Sequence, residues 1–321
     1  MIKLTLHNQF RKAAVCAFSG YVNFPCRFNR GIRELSKIFC KVVFDGIEND
    51  SIQGRLNCFY AALEDPEVDV IFSLAGGYNS NDLLEKIDYN FVSKHPKPIV
   101  GFSDTTAIQL ALLQKIGLPS FYGPAILSDF GAYGGLDSFT KLSLMQALTS
   151  KEPYVISPPK QITYSNDFWD KDDHVLPHYE PNTRCFSPLN RNNSTAEGIL
   201  IGGNMNTLLA LLGTPYFPDL KSAILFLEDC NTNLNKLRRD LNTLKQAGIF
   251  EIITGLVFAK FYANGMTALE QNQYSGFIEN YFNEYNKPLL YQMDFGHHSP
   301  RITIPIGTYA KIDTKNGICL L

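Results

Sequence analysis

A serine lies in a sharp turn between a short apolar run and an amphipathic segment, and its hydroxyl is the first candidate for chemistry. The turn is Gly101-Phe-Ser-Asp-Thr105, after a predicted strand that ends at Val100 and before a predicted helix over 105–116. Small residues at its first, third and fifth positions follow the nucleophile-elbow pattern Gly-x-Ser-x-Gly, except that Thr105 replaces the last glycine. Ser103 is therefore a candidate attacking hydroxyl, but serine is also a preferred N-cap, and the turn alone leaves both interpretations open.

Backbone N–H groups near this serine are candidates for stabilising a negatively charged oxygen. The N–H of Asp104 falls at the start of the predicted helix, where free donors favour an anion. Gly76 and Gly77 follow the predicted strand 68–74, which ends at the same edge of a parallel sheet. Either glycine would let a backbone N–H approach a ligand closely, whereas a simple tight turn explains both glycines equally well.

The second half of the chain offers two carboxylates at the end of an apolar run. Glu228 and Asp229 directly follow the predicted buried strand 223–227. Strand ends in open sheets are the usual place for catalytic groups. The simpler alternative is that one of the two caps the next helix and pairs with Arg238 or Arg239.

Two adjacent histidines, His297 and His298, lie in a loop bounded by glycine and proline. A loop histidine is commonly a solvated side chain, and a catalytic one needs a carboxylate and a nucleophile as partners. Ser103, Glu228 and His297 occur in the chain order of an α/β-hydrolase triad, although order by itself proves nothing.

Composition limits the class of protein. The chain has 321 residues, of which 45% are hydrophobic and 19% charged, and a net charge of −2 without a basic run. This balance indicates neither nucleic acid nor an anionic membrane as partner. The sequence shows no signal peptide and no run of about 18 apolar residues, so we expect a cytoplasmic protein. The seven cysteines are odd in number and lack Cys-x-x-Cys spacing, which predicts reduced, mostly packed thiols.

Strands alternate with helices along the chain, which predicts a parallel α/β sheet. In the first half we predict strands at 13–18, 41–44, 68–74, 99–100 and 118–122, and helices at 32–39, 54–64, 83–87 and 105–116. In the second half we predict strands at 198–202, 223–227, 252–258 and 301–307, and helices at 206–212, 234–248 and 277–286.

Periodicity fades between residues 150 and 197, which predicts a domain connection with a long loop. Trp169, the only tryptophan, lies there among acidic residues. It would either stack on a planar ligand group or anchor the loop to the body of the protein. We expect an N-terminal domain with the nucleophile at 1–160, a connecting and substrate loop at 161–197, and a C-terminal domain with the acid and the histidine at 198–321.

Six motifs in register resemble the serine LD-carboxypeptidases, a family that includes muramoyl-tetrapeptide carboxypeptidases and microcin C self-immunity peptidases. The resemblance covers roughly residues 10 to 315 and is closest to the immunity branch. Any one motif alone is weak, but six in order are specific. They are Gly76-Gly-Tyr-Asn-Ser-Asn-Asp-Leu-Leu84, Ile99-Val-Gly-Phe-Ser-Asp-Thr-Thr-Ala107, Phe121-Tyr-Gly-Pro-Ala125, Gly202-Gly-Asn-Met-Asn-Thr207, Ile224-Leu-Phe-Leu-Glu-Asp229, and Gly296-His-His-Ser-Pro300 with Ile304-Pro-Ile-Gly307.

The resemblance implies a catalytic triad of Ser103, Glu228 and His297, with His297 preferred over His298. It also implies an N-terminal parallel-sheet α/β domain, a smaller C-terminal α+β domain with more strands, and a homodimer. No metal and no cofactor are implied. The chain departs from the family pattern at Phe18-Ser19-Gly20 and at Tyr78, which affects details of the pocket rather than the catalytic set.

By the same resemblance, Asp104 and either Gly76 or Gly77 would supply the oxyanion N–H groups, and Trp169 and Asn204 would bind substrate. In the immunity peptidases a loop tryptophan stacks on the adenine of a toxic aminoacyl-nucleotide, and Trp169 falls close to that position. The expected substrate is therefore a peptidyl- or aminoacyl-nucleotide, cut at an amide. The alternatives are a murein tetrapeptide cut as an LD-carboxypeptidase would cut it, and a non-catalytic small-ligand-binding homologue.

Overall fold

The candidate residues follow strands of two separate sheets. The computed structural model describes residues 11–163, 174, 176–183, 187–189, 194–230, 232–261 and 268–321. Numbered along the described chain, the strands are β1 (Lys12–Cys16), β2 (Lys41–Val43), β3 (Val68–Ser73), β4 (Ile99–Gly101), β5 (Ser120–Tyr122), β6 (Tyr154–Val155), β7 (Gln161–Ile162), β8 (Glu180–Pro181), β9 (Ser187–Pro188), β10 (Thr195–Asn204), β11 (Ile224–Glu228), β12 (Gly255–Ala259), β13 (Leu289–Met293), β14 (Ile304–Ile306), β15 (Tyr309–Asp313) and β16 (Gly317–Leu320).

Helices cover the sheets between these strands. They are α1 (Pro25–Leu35), α2 (Ile52–Glu64), α3 (Tyr89–Lys94), α4 (Thr106–Ile116), α5 (Ser138–Thr149), α6 (Met205–Ala210), α7 (Leu234–Gln246), α8 (Ile249–Ile252) and α9 (Ala268–Tyr281). Short 3₁₀ turns occur at Ser80–Leu83 and Ser103–Thr105, and a π turn at Ile126–Phe130. Within the described ranges, every helix is too short or too polar to cross a membrane.

The first sheet has the order β14-β5-β4-β3-β1-β2. Its strands from β5 to β2 pair in parallel, and only the edge strand β14 is antiparallel to its neighbour. Every residue of β1, β3 and β4 is buried, as expected for parallel strands that are covered on both faces. The predicted parallel α/β architecture of the N-terminal half is confirmed.

The second sheet has the order β6-β16-β15-β10-β11-β12-β13-β9. The four strands β10 to β13 are parallel, and the strands on either side of them are antiparallel. This half of the described chain thus has more strands than the first, as predicted. The carboxyl ends of parallel strands from both sheets meet. Ser103 follows β4 and Glu228 ends β11, and the hydroxyl of Tyr122 bonds both residues.

Each sheet contains one strand that comes from the other half of the chain. β14 lies within the predicted strand 301–307, but it pairs with β5 of the first sheet, Ile304 opposite Tyr122 and Ile306 opposite Ser120. Pro305 is tolerated because β14 is an edge strand. In return, β6 pairs with β16 at the edge of the second sheet.

Two predicted elements have different bounds for clear physical reasons. The predicted strand 252–258 begins only at Gly255. The apolar residues just before it belong to the short helix α8, which buries Ile249 and Phe250. A short apolar run cannot distinguish a strand from a buried helical turn. The helix predicted at 32–39 is α1, which begins at Pro25, a residue well suited to the first helical position.

Candidate active site

Ser103 has a left-handed backbone conformation, with φ of +61°. A positive φ is uncommon outside glycine and is found where the surrounding structure imposes it, often at functional sites. Here the turn passes directly from β4 to the 3₁₀ turn and then into α4. The backbone N–H of Ser103 donates to the hydroxyl of Tyr122 at 3.1 Å, so this N–H is occupied by the protein.

The oxyanion turns, which are the turn at Gly76 and Gly77 after β3 and the turn at Ser103 and Asp104 after β4, are packed against each other. A Cβ on Gly76 would lie 2.8 Å from both Cβ and Oγ of Ser103 and 3.7 Å from the backbone nitrogen of Asp104. Only glycine fits this position without displacing the serine. The backbone of Ser80 donates to the Asp104 carboxylate at 2.9 Å, and the Ser80 hydroxyl donates to the Asp104 carbonyl at 2.7 Å. These bonds hold the glycine turn beside the N–H of Asp104.

Gly77 is held on its other side by the turn after β1. Its φ is +157°, and a Cβ there would lie 2.9 Å from Cβ of Ser19. Gly76, Gly77 and Asp104 all line the pocket that Ser103 lines, and Gly76 packs against the Ser103 side chain. Gly76 allows the backbone to approach the Ser103 side chain closely, and Gly77 allows the turn after β3 to pass close to Ser19.

Glu228 is 1% exposed and is fully occupied by hydrogen bonds. Its Oε2 accepts from Nδ1 of the His297 ring at 2.7 Å and from the His297 backbone N–H at 3.3 Å. Its Oε1 accepts from the hydroxyl of Tyr122 at 2.5 Å and from Nδ2 of Asn204 at 3.0 Å. Burial favours the protonated acid, but the positive charge of the histidine and these bonds outweigh it and hold the pKa of Glu228 below its usual value.

The ring of His297 lies against this carboxylate and against an aromatic wall. Burial disfavours a charged imidazole, yet the Glu228 carboxylate overcomes that effect and raises the pKa of His297 above its ordinary value. The Phe102 ring contacts the imidazole edge to face at 5.0 Å between centroids, and the Arg301 guanidinium lies over the Phe102 ring at 3.9 Å from its centroid. Arg301 is itself paired with Asp129 at 2.6 Å.

His298 has the opposite environment although it is the next residue. It is 1% exposed, and burial, together with the nearby cations Lys260 and Arg301, lowers the pKa of His298 to about 3. Of the two histidines, His297 is the one whose ring bonds Glu228.

Ser103 and His297 line one pocket of about 350 Å³, a size that suits a small ligand. In the chain as described, no hydrogen bond joins Ser103 Oγ to the His297 ring. Catalytic pairs often reach hydrogen-bond distance only in the complex with substrate. Tyr78 stands at the pocket mouth with 88% of its surface exposed.

Asp229 lies at the pocket wall but pairs with a lysine. Its Oδ2 accepts from Nζ of Lys236 at 3.0 Å, and Lys236 also bonds Asp240 at 2.6 Å. The alternative interpretation, in which these acids pair with Arg238 or Arg239, is wrong, because Lys236 lies nearer along α7. Trp169, the predicted stacking residue, lies outside the described residues.

Sequence reasoning missed Tyr122, whose hydroxyl joins the Ser103 backbone to Glu228. The available signal was its position at the carboxyl end of β5, the same edge that holds the serine. Asn204 was predicted to bind substrate. Its side chain bonds Glu228 through Nδ2 and caps α6 through Oδ1, which accepts from the Thr207 backbone at 3.0 Å, while it also lines the pocket.

The chain belongs to the LD-carboxypeptidase family. Residues 13–123 match the family's N-terminal domain, and residues 197–312 match its C-terminal domain. These ranges contain each residue of the serine–acid–histidine arrangement described above.

The relatives of this chain include putative bacterial carboxypeptidases and a microcin self-immunity protein. The chain is 33% identical over 271 residues to the putative carboxypeptidase YocD of Bacillus subtilis, covering 84% of this chain and 80% of that protein. It is 30% identical over 302 residues to the microcin C7 self-immunity protein MccF of Escherichia coli, covering 90% and 86%. The structure of MccF in complex with aspartyl sulfamoyl adenosine superposes with a TM-score of 0.88 at 26% identity, covering 100% and 98% of the two chains.

Proposed function

We propose that this protein is a serine peptidase or amidase that hydrolyses a small amide by acyl transfer through Ser103, Glu228 and His297. The observation that carries the proposal is the 2.7 Å bond between Glu228 and His297 Nδ1 in the pocket that Ser103 lines. Membership of a carboxypeptidase family supports an enzyme, and the left-handed turn at Ser103 supports the serine as its nucleophile.

The geometry gives each group a role. Because Nδ1 of His297 donates to Glu228, its Nε2 is the basic nitrogen. Nε2 takes the proton of the Ser103 hydroxyl as Oγ attacks the amide carbon, and then protonates the leaving nitrogen. Water then attacks the acyl-enzyme while Nε2 takes its proton. Nε2 returns that proton to Ser103 Oγ as the acid product leaves. Glu228 fixes the tautomer and stabilises the imidazolium.

Backbone N–H groups stabilise the tetrahedral oxyanion in this proposal. The N–H of Asp104 and that of Gly76 or Gly77 are the donors, since both turns meet beside the Ser103 hydroxyl. Loss of one such donor typically costs about 3 kcal/mol of barrier. The Ser103 N–H is not among them, because Tyr122 accepts it.

The favoured substrate is an aminoacyl- or peptidyl-nucleotide. The fold likeness to a self-immunity protein with a bound aspartyl sulfamoyl nucleoside supports this class. Trp169 would stack on the base, which is worth roughly 1–3 kcal/mol. The family's description as LD-carboxypeptidases favours the second candidate, release of a terminal D-amino acid from a murein tetrapeptide.

The serine mechanism is tested with Ser103→Ala. We expect kcat to fall by at least about 10³-fold while the circular dichroism spectrum stays unchanged, since the nucleophile is lost without a change in packing. Turnover equal to that of the wild type would exclude Ser103 as nucleophile. No turnover by either protein on a broad amide panel would favour a binding function instead.

The substrate class is tested by comparing an aspartyl adenylate amide with an LD-tetrapeptide. Trp169→Ala should reduce kcat/KM for the nucleotide by about tenfold or more and leave tetrapeptide cleavage nearly unchanged. Tetrapeptide cleavage with no nucleotide turnover would assign the protein to cell-wall recycling.

We further propose that the protein is a cytoplasmic homodimer. Light scattering on the purified protein would test the dimer, and cell fractionation would test the location.

A further inference from the structure

Two cysteine thiols are in direct contact beneath the turn that supports the candidate oxyanion site. The sulphur of Cys58, on α2, lies 3.8 Å from the sulphur of Cys16, the last residue of β1. Cys16 is buried, whereas Cys58 is half-buried and therefore accessible to a small reagent. The pairing is non-local, because 42 positions along the chain separate the two residues.

The pair has the chemistry of a dithiol in which one thiol is activated by the other. The contact with Cys16 lowers the pKa of Cys58 and outweighs burial and the nearby carboxylates of Asp45 and Glu48, whereas the same contact and burial raise the pKa of Cys16. A thiolate is the reactive form of cysteine, so Cys58 is the attacking sulphur and Cys16 the resolving one.

We propose that Cys16 and Cys58 are a modification site at which hydrogen peroxide forms an intramolecular disulfide that reduces activity at the adjacent pocket. The Cys58 thiolate attacks one peroxide oxygen, the O–O bond breaks, and Cys58 sulfenic acid and one hydroxide or water form. Cys16 then attacks the Cys58 sulphur, the S–O bond breaks, and a second water leaves. Two thiols are oxidised, one peroxide is reduced, and both thiol protons end in water.

A physical connection leads from this pair to the oxyanion turns. Arg55 lies one helical turn before Cys58, and its Nη1 donates to the carbonyl of Phe18 at 2.9 Å and to that of Asn79 at 3.0 Å. Its Nη2 pairs with Asp82 at 3.2 Å. One guanidinium thus joins the turn after β1 to the segment that follows the two glycines.

The disulfide would disturb that connection. A covalent bond brings two sulphurs to about 2 Å, so the end of β1 and the face of α2 must shift or rotate their side chains. The neighbouring ring of Phe59 contacts that of Phe18 at 5.3 Å, so movement of α2 also presses on the turn after β1. Ser19 in this turn contacts Gly77, and the N–H donors beside Ser103 would move with it.

The test is oxidation of the purified full chain with hydrogen peroxide, followed by peptide mapping without reductant. We expect a peptide that joins Cys16 to Cys58 as the main product, and its loss after dithiothreitol. The exposed thiols Cys26 and Cys40 provide matched controls, because Cys26→Ser and Cys40→Ser should leave the joined peptide in place. Absence of the joined peptide while other cysteines oxidise would overturn the site, and this readout is independent of any enzyme activity.

The effect on function is tested separately on any substrate that the enzyme turns over. We expect peroxide to lower kcat by at least about tenfold, reversibly, because shifts near 1 Å at a catalytic site are costly. Cys58→Ser should resist this loss, and Cys16→Ala, which also lacks the pair, should resist it equally. If Cys58→Ser loses activity as fully as the wild type, inactivation occurs at another thiol, such as Cys230 in the pocket, and the proposed link is wrong.

Discussion

At the scale of single residues, Tyr122 shows how a group that does no chemistry can set the geometry of the groups that do. Its one hydroxyl accepts from the Ser103 backbone and donates to Glu228, so it fixes the distance between the proposed nucleophile and the proposed acid. Burial and the nearby Glu228 charge raise the pKa of Tyr122, and the phenol therefore remains protonated and able to donate. Tyr122 is a positioning residue for both halves of the site.

Tyr122→Phe tests this role. Removing the hydroxyl leaves a buried carboxylate with one donor fewer and a backbone N–H without its acceptor. A bond to a charged group contributes about 1.5–3 kcal/mol, so we expect kcat to fall by about 10- to 100-fold with little change in KM. Tyr89→Phe removes the hydroxyl of a half-buried tyrosine, which donates to the Leu84 carbonyl away from the pocket, and it should leave kcat unchanged. An effect on KM alone would argue for a substrate contact instead.

The pairing of Glu228 with His297 also sets the pH dependence of the proposed reaction. The base works only when neutral, and the carboxylate raises the pKa of His297. The acid limb of kcat/KM should therefore have an apparent pKa above 6.5. In Glu228→Gln, which lacks the negative charge, the limb should move to lower pH, and the NMR titration of the His297 ring should move in the same direction. A titration midpoint unchanged by the substitution would show that Glu228 does not control this ring.

Residue types and chain order suggested Ser103, Glu228 and His297, but only the resemblance carried by six motifs predicted them as one set. In the structure Ser103 and His297 line one pocket, and Glu228 bonds the ring of His297. The sequence could not predict which of several possible partners each side chain would bond. Whether Asp229 meets Lys236 or an arginine depends on where each falls on the surface of α7, and the network of Tyr122 depends on contacts between distant segments. Such contacts leave no local pattern in a single sequence.

At the scale of elements, the turn from β4 into α4 depends on a glycine in a different element. Gly76, after β3, packs against the Ser103 side chain, and a Cβ there would overlap its Cβ and Oγ. The strand and helix of the elbow were predictable from apolar spacing. The requirement for glycine on the neighbouring strand is visible only once the two strand ends are side by side.

Gly76→Ala tests the contact between these elements. The added methyl group must displace the Ser103 hydroxyl or the oxyanion turn, so we expect kcat to fall by about 100-fold or more, the effect of losing an oxyanion donor. Gly276→Ala is the matched control, because Gly276 lies in α9 with open space where its Cβ would be, and alanine favours a helix. Near-normal activity of Gly76→Ala would show that this turn tolerates a shift and does not supply the donor.

At the scale of the whole molecule, the two halves are joined by exchange of strands and by the site itself. β14 completes the first sheet and β6 the second, while Thr106 accepts from the Asn204 backbone at 3.1 Å across the cleft. Alternation of strands and helices predicted a parallel α/β sheet, and the family resemblance predicted a second, strand-richer domain. Neither predicted these crossings, since pairing partners far apart in the chain are not encoded in local periodicity. The proposed set of Ser103, Glu228 and His297 therefore comes together only when both halves are folded.

This joint core contains a buried histidine, and it should make stability depend on pH. The folded pKa of His298, about 3, lies below the value of about 6.5 for an exposed histidine. Below pH 6.5 the unfolded chain therefore binds a proton that the folded chain refuses, and stability contributed by neutral His298 is lost as the pH falls. His297 has the opposite shift, a raised pKa, so its contribution near pH 6.5 has the opposite sign and is the same in any variant that keeps His297.

We expect the free energy of unfolding in urea to fall between pH 6.5 and 4.5 more steeply for the wild type than for His298→Asn, by up to about 1.4 kcal/mol per pH unit. The comparison of slopes removes the constant effect of the substitution on packing, and it also cancels the carboxylates that titrate in both proteins. His178→Asn, at an exposed position, should keep the wild-type slope. Parallel pH curves for wild type and His298→Asn would mean that the ring takes up a proton within the folded core, with Lys260 and Arg301 moving away to admit the charge.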